Sequence, residues 1–122
     1  MNLPIIFKAA AIFMAIWIVQ FWFAPSMVME TYGWNSSPGL LAMMKYMGMA
    51  MAALATLHWT LPLWAGNNLP KFGVVSGIFW GLFGILGLYD LYVGNSPSTA
   101  QNIFGVVANF VFAILFYLKS KK

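Results

Sequence analysis

The chain has 122 residues, of which 62% are hydrophobic and 7% charged, and a formal net charge of +4. A chain this short is one domain by length, and it carries far too little charge for a water-soluble surface, where about a quarter of residues are charged. Its six cations are all lysine without any basic stripe or zinc-finger spacing, which excludes a nucleic-acid partner; the absence of cysteine excludes disulfides, thiol redox chemistry and thiolate metal sites.

Four apolar runs, each about 20 residues and so long enough for a bilayer core, consume nearly the whole sequence. The first helix is expected over about Ile5 to Ala24. Pro4 suits a helix start, and Pro25 follows the run where a helix should stop. With Lys8 near its beginning the run resembles a signal peptide, but it is too long and lacks a small-residue cleavage site, so it reads as a membrane helix. Trp17, Trp22 and Phe23 crowd its far end, as in an interfacial aromatic belt. The following loop, Pro25 to Pro38, carries Glu30, Tyr32, Gly33 and Trp34 and then the turn cluster Asn35-Ser36-Ser37-Pro38-Gly39. A short interfacial helix over Ser26 to Tyr32 fits there, as a cover for the bundle or as a lid or partner contact.

The second helix is expected over about Leu40 to Trp64. Lys45, Gly48, Ala52, Thr56 and Trp59 share one face, a small-residue stripe suited to packing inward, while Met43, Met47, Met51 and His58 lie opposite. Methionines at helical spacing are adaptable packing surface, and without cysteine or clustered histidine they are a weak copper signal. The connection Ala65 to Lys71 is short and turn-rich.

The third helix, about Phe72 to Val93, carries Gly73, Gly77, Gly81, Gly84 and Gly87. In a soluble helix each internal glycine costs about 1 kcal/mol relative to alanine; in a membrane helix small residues four apart admit a neighbouring backbone. These glycines fall in a band roughly 120° wide, with Trp80 inside it and Asp90 on its flank. The band should therefore lie against another helix, with Val75, Ile78, Leu82, Ile85 and Tyr89 facing lipid. After the uncharged turn Gly94 to Thr99 comes the fourth helix, about Ala100 to Leu118, with Ser98 or Thr99 as N-cap. On it Gln101, Asn102, Gly105, Ala108, Asn109 and Phe112 form one face.

The expected architecture is an all-α, four-helix transmembrane bundle. Lys8, Lys71 and the tail lysines Lys119, Lys121 and Lys122 belong to one side of it, so the positive-inside rule puts both termini in the cytoplasm. Lys45 is the exception. Gln20, Lys45, Asp90 and Asn102 then fall in the outer half of the membrane, with Asn109 nearer mid-depth. Lys45 and Asp90 have opposite sign and lie ~8 Å and ~5 Å below the outer helix ends. Because an ionisable residue in lipid is costly unless paired or hydrated, two readings stand: a Lys45–Asp90 pair that fixes helix packing, or a polar pocket for a ligand or ion. His58 lies about 20 Å deeper than Lys45. It reads as an interfacial, hydrogen-bonded histidine or as an outward-facing ligand to haem or chlorophyll, each of which can be held by one imidazole.

Phe23-Ala24-Pro25 at the end of the first helix, Tyr32-Gly33, Lys45-Tyr46-Met47-Gly48 near the start of the second and Leu88-Tyr89-Asp90-Leu91-Tyr92-Val93-Gly94 at the end of the third together resemble the small DoxX-like four-helix membrane proteins. Lys45 stands where that family more often has arginine, and a lysine is a point charge without the bidentate fork. The resemblance implies the four-helix fold and leaves open functions that in the family include quinone-linked and sulfur-linked roles. The sequence points to an accessory or structural subunit in contact with lipid and with other membrane subunits or copies of itself. The alternatives are a small-molecule binder, transporter or redox accessory using the outer polar pocket, and a cofactor-holding subunit using His58.

Overall fold

The computed structural model describes residues 2–121; Lys122, the last tail lysine, lies outside the described residues. The chain is all-α: α1 Leu3–Phe23, α2 Pro25–Tyr32, α3 Pro38–Trp64, a 3-10 turn Gly66–Asn68, α4 Leu69–Val93 and α5 Ala100–Ser120. α1, α2, α3 and α4 each hold a proline in the first turn, where its missing N–H removes no intrahelical bond. For this reason α1, α3 and α4 begin earlier than the apolar runs suggest. The side chains of Asn2, Ser37 and Thr99 accept from the first-turn amides of α1, α3 and α5, so polar residues close those ends against the free N–H groups. α2 and α4 stop at Gly33 and Gly94, both left-handed at φ +71° and +83°, a conformation that glycine adopts without Cβ strain.

α1, α3, α4 and α5 are long and apolar enough to cross a membrane, and the protein is an integral, multi-pass membrane protein in contact with lipid. α2 is too short to cross and lies across the far end of α1. The spans form two hairpins: α1 packs along α3, and α4 along α5, while α1 also touches α5 and α4. One buried cluster joins Ile6, Phe7 and Met14 of α1 to Trp80 of α4 and Phe116 of α5. A second lies under α2, where Val28 and Met29 meet Phe21 and Met44.

The glycines of α4 face α5. Gly73 lies beneath the Ser120 hydroxyl; a Cβ at Gly77 would stand 3.3 Å from the Ala113 carbonyl oxygen, and one at Gly84 would stand 3.0 Å from the Phe110 ring. Gly87 abuts Val106, whereas Gly81 has ordinary room, with Ala113 Cβ 3.7 Å from where its Cβ would be. Val75, Ile78, Leu82, Ile85 and Tyr89 are all exposed on the opposite side.

α3 is rotated relative to the face expected from its small residues. Met44, Gly48 and His58 are buried, while Lys45, Thr56 and Trp59 are exposed. The cause is Trp22 of α1: its indole covers Gly48, and its Nε1–H donates to the Lys45 carbonyl at 3.3 Å. Only glycine at 48 admits a ring so close, and seating it there turns Lys45 out of the helix contact.

Candidate functional site

Among the described residues three polar side chains of the spans are buried, Asn102 and Ser120 on α5 and, on α3, His58, which is 9% exposed. All four spans meet at it. Phe7 of α1, Trp80 of α4 and Phe116 of α5 surround the α3 imidazole, with ring centroids 5.5, 6.4 and 5.9 Å away. Its Nδ1 lies 2.9 Å from the Leu54 carbonyl oxygen, one turn back along α3. A carbonyl only accepts, so Nδ1 carries the proton and Nε2 is the acceptor. Trp80 Nε1–H points at that Nε2 from 3.5 Å, a long hydrogen bond. The sequence signal for this arrangement was weak, because the partner is 22 residues away on a helix whose rotation is set by its glycines.

This geometry differs from the outward-facing haem or chlorophyll ligand expected from the sequence. The ring points into the bundle, both nitrogens have partners within the chain, and packed aromatics stand where a macrocycle would need to lie. The residues around His58 do not fit such a group.

The outer polar residues are placed separately. Lys45 is exposed on α3, and Gln20 is half-buried on α1. The half-buried Asp90 accepts from Asn95 Nδ2 at 3.1 Å, and the Asp90 carbonyl accepts from the Ser96 amide at 3.2 Å. Asp90 thus ties down the turn that ends α4. Asn102 is buried, and its Nδ2 donates to the carbonyls of Thr31 at 2.9 Å and Pro97 at 2.8 Å, which fastens α2 to the start of α5. Its Oδ1 is buried without a partner. Asn109 is half-buried at mid-span. Among the described residues no ion pair and no hydrogen bond links Gln20, Lys45, Asp90, Asn102 and Asn109 to one another.

α2 brings an aromatic stack that spacing alone did not reveal. Tyr32 stacks on Trp34 with centroids 5.0 Å apart and planes at 20°, and Trp17 of α1 lies 6.1 Å from the tyrosine. Burial pushes the pKa of the Tyr32 hydroxyl up from its ordinary value, since a phenolate would be desolvated there. At the other end Lys8 reaches over the Trp59 ring at 5.4 Å, a cation–π contact in which the ring's negative face attracts the ammonium.

Compared with protein-family models, with curated proteins and with solved structures, the chain finds no match in any of the three. What the four apolar spans establish is a small multi-pass membrane protein.

Proposed function

We propose that the protein is a small accessory or structural subunit of a larger membrane assembly. The observation that carries this reading is the outer face of α3. That element is the longest α-helix at 27 residues, yet 11% of its most apolar stretch is buried within the chain, against 39% for α1. Met43, Tyr46, Met47 and Met49 are exposed along it, a thioether-rich surface that adapts to a neighbouring helix. Inside the bundle the side-chain nitrogens of the buried polar residues serve internal bonds: those of His58 to Leu54 and Trp80, and that of Asn102 to Thr31 and Pro97. That allocation suits a scaffold better than a reaction centre. In the same reading both termini are cytoplasmic, because Lys8, Lys71, Lys119 and Lys121 gather at the end where α1 begins. The four-span layout and the residues at the ends of the first and third spans are what support a DoxX-like assignment.

A ligand site at the outer end is the second reading, and the buried, unpartnered Oδ1 of Asn102 favours it. Gentle solubilisation from native membranes separates the two. The subunit reading expects the 13.6 kDa chain to migrate in a larger particle with other polypeptides, and a lone chain or homodimer would overturn it.

A further inference from the structure

Apart from Lys45, near the start of α3, the charges of the described residues are sorted by end. Lys8, Lys71, Lys119 and Lys121 lie toward the end where α1 and α4 begin and α5 stops, whereas both acids, Glu30 and Asp90, lie at the opposite end. At the lysine end a cavity of about 440 Å³ opens between the first turn of α1, the 3-10 turn before α4 and the last turn of α5. Its polar lining is Asn2, Asn67 and Lys119, and its apolar lining includes Leu3, Leu69 and Pro70. The Asn2 Oδ1 already accepts from the Ile5 amide at 3.3 Å, so this side chain offers its NH₂ group to an occupant. With the Lys119 ammonium and the Asn67 amide, the cavity presents a cation and two amide donor groups, and among the described residues no carboxylate lines it. Beside it the buried Ser120 hydroxyl and the Leu3 side chain both stand over Gly73.

We propose that this cavity binds the phosphate of an anionic phospholipid headgroup. Phosphate oxygens accept charge-assisted hydrogen bonds from lysine and amide donors, and basic pockets between membrane helices are suited to such headgroups. The leucine and proline walls select the lipid over free phosphate: they meet the glycerol and the upper acyl chain, for which an inorganic ion has no counterpart. The proposal does not rest on the subunit reading; it needs only the membrane embedding and this end's geometry.

The test is native mass spectrometry of the full chain released from vesicles of equal phosphatidylglycerol and phosphatidylcholine. The wild type should retain phosphatidylglycerol preferentially. Lys119→Gln should lower that retention by more than the about fivefold expected for one lysine acting diffusely near an anionic surface. Lys121→Gln should stay within that limit, because Lys121 lies over Tyr117 at 5.3 Å and does not line the cavity. Asn67→Trp, at an exposed turn position, fills the cavity without changing charge and should abolish the preference. Equal losses from the two lysine variants, or wild-type retention in Asn67→Trp, would overturn the site in favour of diffuse attraction. Displacement of the lipid by millimolar inorganic phosphate would overturn the lipid as occupant.

Discussion

At the scale of single residues, the contact between His58 and Trp80 is a polar bond that joins a span of one hairpin to a span of the other. Both partners are buried, at 9% and 8% exposure, so removing either leaves the other's nitrogen in an apolar setting, a loss of about 1–3 kcal/mol. His58→Phe and Trp80→Phe should each lower the thermal stability in detergent. The double variant should lose less than the sum, by about 0.6 kcal/mol as for hydrogen bonds between membrane helices. Strictly additive losses would show that the 3.5 Å contact contributes nothing, and a visible absorption band lost in His58→Phe would instead reveal a cofactor. Lys45 and Asp90 present the opposite case. With Lys45 exposed and Asp90 held by Asn95, Lys45→Met and Asp90→Leu should be additive within about 0.5 kcal/mol. The same thermal measurement checks it, and recovery in the double variant would mean that the two side chains pair.

At the scale of elements, the α4–α5 hairpin depends on where along the glycine stripe a side chain would strike. At Gly77 a new Cβ stands 3.2 Å from Phe116 Cβ and 3.3 Å from the Ala113 carbonyl oxygen. Backbone cannot move aside as a side chain can, so Gly77→Leu should force the helices apart and cost about 1–3 kcal/mol or more. At Gly81 the nearest atom is Ala113 Cβ at 3.7 Å, an ordinary van der Waals contact. Gly81→Ala should therefore be neutral or stabilising, by up to the ~1 kcal/mol that alanine gains over glycine in a helix. Leu82→Ile, on the exposed side of α4, is the control. Unfolding midpoints that rank Gly77→Leu with Gly81→Ala would refute this account of the hairpin.

At the scale of the whole molecule, the orientation proposed from the lysines can be read directly, because the chain has no native cysteine to interfere. Asn2, Ser36, Asn67 and Asn95 are all exposed and sit in loops or at a helix start. Single-cysteine variants at Ser36 and Asn95 should react with a membrane-impermeant thiol reagent on intact cells. Variants at Asn2 and Asn67 should react only after the membrane is opened. Labelling of Asn67→Cys on intact cells would invert the topology, and the proposed anionic-lipid cavity would then face the other leaflet.

The sequence by itself determined the class of protein, the number of spans and their approximate limits. These depend on local properties: run length against bilayer thickness, prolines tolerated in first turns, and Gly33 and Gly94 in left-handed stops. The glycine stripe was legible too, since so many glycines in one helix make sense only where something approaches closely. Its partner was not, and α5 emerged only in the fold. Nor did the sequence disclose that Trp22 would seat on Gly48 and turn Lys45 outward, or that His58 would face inward to Trp80. The reason is physical. In water an apolar stripe marks the buried face of a helix, but lipid is as apolar as the bundle interior, so hydrophobicity no longer tells inside from outside. On α3 and α4, apolar on nearly every side, rotation is decided by shape, by which glycine admits which ring, and that is a property of two helices together.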